Sequence, residues 1–215
     1  MRSSAVVLLA IAIVPVLCAR ADAQDAPPRI GPFVVDVRGT VPQFSNDLAL
    51  AQSRGLTQFE LPGIGLGVAA GAHLYPLKWR AITFGIGGEL AMARSHSTPP
   101  DAEQNLRRAV TERFTSIAPQ LSFNFGSGNG WSYISGGIGP SIRSIVPDGQ
   151  QPKPADEERL RTINYGAGAR WFAKKHLAFN FDVRVYAIDP GTPQAGFPGS
   201  PPATLLIMGA GVSVK

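Results

Sequence analysis

From residue 33 onward the chain repeats one pattern. Apolar residues alternate with small or polar ones over roughly ten positions, a connection intervenes, and the alternation resumes. A period of two puts successive side chains on opposite faces of a strand. In the first predicted strand, Phe33 to Val41, one face carries Phe33, Val35, Val37 and Val41, and the other carries Asp36, Arg38 and Thr40. The second, Gly63 to Tyr75, sets Ile64, Leu66, Val68 and Leu74 against Gly65, Gly67, Gly71 and His73. The third, Ala81 to Ala93, sets Ile82, Phe84, Ile86, Leu90 and Met92 against Thr83, Gly85, Gly87, Glu89 and Ala91. The fourth ends in Ile117, Pro119, Leu121, Phe123 and Phe125, and the fifth, Trp131 to Ile142, sets Ile134, Ile138 and Ile142 against Ser135, Gly137, Gly139 and Ser141. The sixth sets Ile163, Tyr165 and Trp171 against Asn164, Gly166, Gly168 and Arg170. In the seventh, Leu177, Phe179, Phe181, Val183 and Val185 oppose Asn180, Asp182, Arg184 and Tyr186. In the eighth, Leu206, Met208, Ala210, Val212 and Val214 oppose Gly209, Gly211, Ser213 and Lys215.

The connections alternate in length. Pro42 to Pro62, Arg94 to Arg113, Arg143 to Leu160 and Ile188 to Pro202 are long, whereas Pro76 to Arg80, Gly126 to Gly130 and Lys174-Lys175 are short turns. Eight strands joined in this way predict an all-β, eight-stranded, antiparallel up-and-down transmembrane barrel with a filled lumen. Both termini then share the short-turn end, which is expected to be periplasmic, and four loops project from the other end. Hydrocarbon has no water for backbone polar groups to bond, so closure is required. Pro119 and Pro140 cannot donate to a ladder and mark bulges or weakly paired spots.

The polar face decides which side is enclosed. A soluble barrel would turn Lys and Glu to water there, but this face is mostly Gly, Ala, Ser, Thr and Asn. Its mid-strand charges are Asp36, Arg38, Glu89, Arg170, Asp182 and Arg184, three acids and three bases. Balanced signs suit a lumen in which each buried charge needs a partner. They predict an ion-pair network across the interior. Trp79, Trp131 and Trp171 all sit beside short turns, which predicts an interfacial aromatic girdle.

Composition fits this picture. Of 215 residues, 44% are hydrophobic and 16% charged, against roughly 25% charged in an average soluble domain. Residues 1–23 read as a signal peptide, with Arg2, an apolar centre from Ala5 to Leu17 and Ala21-Asp22-Ala23 as the cleavage site, so residues 24–215 form the barrel domain. An anchor helix and a lipoprotein anchored at Cys18 are the other readings of this segment; the first has too short an apolar run and the second has Leu17 where a small residue is favoured. The formal charge of +5 is scattered, with no basic stripe for nucleic acid.

The stretch Asn164-Tyr165-Gly166-Ala167-Gly168-Ala169-Arg170-Trp171-Phe172, a turn, and then Leu177-Ala178-Phe179-Asn180-Phe181-Asp182-Val183-Arg184 resembles the penultimate hairpin of small outer-membrane β-barrels of the OmpA and OmpX transmembrane-domain type. The resemblance spans residues 31–215. It implies a Gram-negative outer-membrane location, with membrane lipid and the assembly machinery as partners. Such barrels usually end in an aromatic residue that the machinery reads, whereas this chain ends Val212-Ser213-Val214-Lys215.

Candidate chemistry is sparse. His73, His96 and His176 fall on different elements without metal spacing, and no cofactor or metal site is expected. Ser95-His96-Ser97, with Glu103 or Glu112 as orienter, is the one hydrolase-like grouping. Gly65 to Gly71 has no helix after it to bind a dinucleotide, and Glu157-Glu158 reads as a solvated loop tip. The leading expectation is a non-enzymatic barrel serving envelope structure or surface interaction through its loops. A narrow pore, a lipid-modifying enzyme and a soluble periplasmic lipid-binding barrel are the alternatives.

Overall fold

The computed structural model describes residues 29–100, 107–151, 153, 156–193 and 198–215. The signal peptide, Cys18 and Glu103 lie outside the described residues. Eight strands close into one antiparallel barrel: β1 (Phe33–Gln43), β2 (Leu66–Trp79), β3 (Ile82–Ser97), β4 (Val110–Ser127), β5 (Gly130–Pro147), β6 (Glu157–Phe172), β7 (Leu177–Ile188) and β8 (Ala203–Val214). Each strand pairs with its neighbour in sequence, and β1 closes on β8 from Val35↔Val214 to Gln43↔Leu206. Closure removes every sheet edge, as a bilayer requires.

The alternation has the sense expected from sequence. Val37, Leu66, Leu121, Ile138 and Phe179 face outward and are exposed, whereas Asp36, Arg38, Glu89, Arg170, Asp182 and Arg184 face the lumen and are buried. The charges are therefore inside and the outer surface is apolar, inverting the arrangement of a soluble protein. At the bilayer's expense this exterior costs nothing; in water it would be a continuous apolar surface of a kind monomers rarely show.

The strands outrun several predicted ends. β4 begins at Val110 and β5 runs to Pro147, so the second and third connections are shorter than the sequence suggests. β2 continues through Pro76 to Trp79 by a register shift between Leu74 and Leu77, which leaves Arg80 (φ 55°) at the turn. The shift also changes parity, so Leu77 and Trp79 join the outward face. Pro119 and Pro140 fall in one interruption. Pairing of β4 with β5 stops after Ser116↔Ser141 and resumes at Gln120↔Gly137 in unchanged register. Each proline still pairs on its other side, with Gly88 and Arg161. The inner glycines let the strands pack closely here: a Cβ at Gly137 or Gly139 would stand 2.0 Å from the carbonyl oxygen of Pro119 or Ile117.

The first long connection is not simply a polar loop. It forms the helix α1 (Leu48–Ser53) and a 3-10 turn at Gln58–Glu60. Asp47 caps α1 by accepting from the amides of Ala49 and Leu50. Gly55, at φ +63°, ends it: the amide of Gly55 bonds the Gln52 carbonyl and that of Leu56 bonds the Ala51 carbonyl, a glycine-terminated helix end.

Candidate functional site

The interior is stacked in tiers. At the turn end an aromatic floor comprises Tyr75, Trp131, Tyr133 and Phe172 with Ile30 and Val34. Trp131 stacks on Phe172 at 5.2 Å and meets Tyr75 edge-on at 5.9 Å. Lys215 lays its ammonium 3.7 Å from the Phe172 ring centre and bonds the Gly128 carbonyl. The chain's last side chain thus helps close the base of the barrel.

Above the floor, Arg170 grips Asp36 with two hydrogen bonds, 2.9 Å from Nε and 2.5 Å from Nη2. Ser213 and Asn180 also donate to Asp36, and the Arg170 guanidinium lies 4.2 Å from the Tyr133 ring centre. Next comes a ring of four charges. Arg38 pairs with Glu89 and, at 3.3 Å, with Asp182; Arg184 pairs with Glu89 at 3.1 Å and with Asp182 at 3.2 Å. Each guanidinium is shared by both acids, and each acid by both guanidinia. Tyr186 donates to Glu89 at 2.9 Å and Tyr133 to Asp182 at 2.8 Å. Arg184 also donates to Gln120, Asn164 and Ser135. The ring is neutral and its donors have partners, the condition under which buried ions are tolerated.

An apolar tier follows, with Phe44, Phe114, Leu160, Tyr186, Ile188, Leu205 and Ile207 in contact. Over it Arg143 pairs with Glu112 at 2.6 Å. The top is α1 itself. Leu50 and Ala51 are fully buried, and with Leu56 and Leu61 they pack on Val110 and Ile145 of the barrel wall. Arg54 ties this segment to Glu158 at 2.5 Å, and Glu158 also accepts from the Ser200 amide at 3.0 Å. Glu60 accepts from the amides of Thr57 (2.7 Å) and Arg108 (2.8 Å) and from the Arg108 Nε. Burial raises the Glu60 pKa, but the Thr57 and Arg108 amides and then their side chains outweigh it and bring it down to about 2. Among the described residues the lumen is thus filled from base to mouth.

Two expectations are corrected. Trp131 does not belong to an outer girdle with Trp79 and Trp171. It is 3% exposed and inside the floor, whereas those two are 58% exposed. Trp131 shares its strand face with Tyr133 and Ser135, and strand parity outweighs nearness to a turn. Glu158 is not a solvated tip, because it is buried on the lumen face of β6 and held by Arg54; its neighbour Glu157 is exposed.

The hydrolase-like grouping does not assemble. Ser95 donates to the Ile64 carbonyl and Ser97 to the Glu60 carbonyl, while His96 faces Thr111 at 3.1 Å and Asp148 at 3.8 Å. Glu112 is committed to Arg143. His73 is buried in the lumen with neither ring nitrogen bonded to protein, and His176 meets the Lys215 carbonyl at the turn end. Sequence reasoning had not singled out Tyr133, Gln120, Asn164 or the Glu112–Arg143 pair. The first three carried a usable signal, their parity with neighbouring inward positions.

No protein-family model matches the sequence, and no curated protein is similar to it. Solved structures do match. Neisserial surface protein A aligns with a TM-score of 0.58 at 12% identity, covering 86% of this chain and 97% of that one. Ail, the attachment invasion locus protein of Yersinia pestis, aligns with a TM-score of 0.52 at 13% identity, covering 86% and 99%. The complex of Ail with the heparin analogue sucrose octasulfate gives a TM-score of 0.51 at 12% identity, covering 84% and 97%. At such identities the likeness is one of architecture: the chain has the fold of the small eight-stranded outer-membrane barrels.

Proposed function

We propose that this protein is a non-enzymatic outer-membrane barrel whose interior is a rigid plug and whose loop end makes contacts at the cell surface. One observation carries the reading: the exterior is apolar from Phe33, Trp79 and Trp171 at the turn end to Met92 and Ile142 toward the loops, while every tier of the described lumen is packed. A soluble lipid-binding barrel would reverse that arrangement, with an apolar hollow and a charged wall. The neutral four-charge ring argues against a narrow pore, since its ions are spent on one another rather than presented to a permeant solute.

The loop end offers the contact surface. Phe59 is 75% exposed beside the capped mouth, with Arg107 placed 4.9 Å over its ring. An exposed aromatic with a stacked arginine is the residue chemistry enriched in binding surfaces. Proteins of this fold include ones named for surface exposure and attachment.

Membrane extraction tests the reading. The protein should stay with outer membranes through alkaline washing and shift in gel mobility when boiled. Reconstituted in planar bilayers, it should give no stable conductance step. A stable step would favour the pore, and release into the aqueous fraction would favour the soluble barrel.

A further inference from the structure

The outer wall changes character abruptly on β3 and β4. Leu90 opposite Ile117 and Met92 opposite Thr115 are followed, two residues nearer the loops, by Arg94 opposite Arg113. Both arginines face outward and are exposed. Directly opposed side chains on one sheet face stand ~5 Å apart at Cβ, and like charges so placed repel. Neither makes an ion pair or a side-chain hydrogen bond among the described residues. A wall that sets two unpaired cations side by side is complementary to an anion.

Their height says which kind. Ile82 and Phe125, paired at the turn end, are each twelve residues from the arginine on their own strand. Twelve residues at ~3.3 Å and a tilt of ~40° rise roughly 30 Å, against an apolar band of ~25 Å. The guanidinium groups therefore stand just beyond the hydrocarbon, at the level of headgroup phosphates.

Two cavities meet at these arginines. Below them an apolar groove of about 430 Å³ runs along Leu66, Val68, Met92 and Thr115 over the bare Gly67. Above them a polar cleft of about 380 Å³ is bounded by Thr111, Ser144, Asp148 and Glu157. Asp148 is already engaged by Thr111 at 3.1 Å and by His96 at 3.8 Å, while Glu157 stands exposed opposite Ser144 as a free acceptor for hydroxyl groups. Apolar groove, paired cations and hydroxyl-accepting cleft follow one another along the membrane normal.

We propose that Arg94 and Arg113 hold the phosphate of a phosphorylated glycolipid of the outer leaflet, with an acyl chain in the lower groove and sugar hydroxyls in the upper cleft. Arginine matches phosphate bidentately. The proposal deepens the membrane reading and rests on it.

The test uses phosphatidylcholine vesicles containing diphosphoryl lipid A, or its fully dephosphorylated form, with wild-type protein and an R94Q/R113Q variant. Insertion is scored first, by protease protection and heat-modifiable mobility. Lipid retention is then read by native mass spectrometry after detergent extraction. Wild type should retain diphosphoryl lipid A and not the dephosphorylated lipid, and the variant should bind it weaker by on the order of tenfold per arginine. Inorganic phosphate should not displace it, because it lacks the acyl chain. Equal retention by the variant, equal retention of the dephosphorylated lipid, or displacement by inorganic phosphate would overturn the site while leaving the barrel reading intact. Failure of both proteins to insert would overturn both.

Discussion

Arginine does two different jobs on the two sides of this barrel wall. Inside, Arg38 and Arg184 are each divided between Glu89 and Asp182, almost without solvent contact. Outside, Arg94 and Arg113 face each other without a carboxylate between them. The inner pair has its counter-charge built into the fold and contributes to structure; the outer pair leaves its counter-charge to be supplied by something else. Burial with partners marks a scaffold, and exposure without them marks a contact.

The largest break in that comparison comes from inside. Arg184→Ala strips one cation from a ring holding two acids and also leaves Gln120, Asn164 and Ser135 without their shared donor. Removing one partner of a buried pair costs about 3–5 kcal/mol. Urea unfolding in detergent or vesicles should show that loss, and wild-type stability would mean that the ring is hydrated and slack. The tryptophans sharpen the contrast between inside and outside. Trp131→Ala empties the aromatic floor and should cost about 3–5 kcal/mol by the same measurement. Trp171→Ala, on the outer face, should lose distinctly less and be sensitive to bilayer thickness.

The sequence carried the wall better than it carried the interior. A period of two is a local property, so Val35, Val37 and Asp36 declare their faces without any tertiary information. The same rule, applied to Trp131, places it with Ser135 inside; nearness to a turn misleads because a strand end has an inner face too. What periodicity does not encode is which strands meet across the lumen. Asp36 finds Arg170 rather than its strand neighbour Arg38 because β1 and β6 face each other through the interior, 134 positions apart in sequence. The cap was less legible still. Pro42 to Pro62 has no sustained alternation, and its six-residue helix is too short for helical periodicity to stand out. Leu50 and Ala51 are buried because the barrel mouth offers them Val110 and Ile145. The bulge at Leu74/Leu77 shifts parity and likewise obscured the end of β2.

The capping segment should respond to acid, whereas the middle of the lumen is closed to solvent. The Glu60 carboxyl has a pKa of about 2 in the folded protein, against an ordinary value of 4.5. Its folded value is the lower one, so its contribution is fully present above about pH 4.5 and is lost as pH falls toward 2. Part of that contribution, from Thr57, stiffens the turn within the connection, and the part from Arg108 ties the connection to the next loop. Pepsin cleavage between Asn46 and Leu61, normalised at each pH to that of an unstructured peptide so that the protease's own acid dependence cancels, should therefore accelerate below about pH 4.5 while the strands stay protected. Glu60→Gln should flatten that pH dependence. A normalised rate independent of pH in wild type would mean that the Glu60–Arg108 contact does not hold the segment.

The smallest expected effect is the most discriminating. Arg94→Gln and Arg113→Gln, singly or together, remove no internal partner and relieve a like-charge contact across β3 and β4. In a zwitterionic detergent each should change unfolding free energy by no more than about 0.5 kcal/mol, and toward greater stability if toward either. The sign should reverse in bilayers that supply phosphorylated glycolipid, because there the wild type gains ligand-linked stability that the variants cannot. If the variants instead lose several kcal/mol in detergent, the outer arginines have a structural role like that of Arg184, and the distinction between the two sides of the wall fails where it was drawn most sharply.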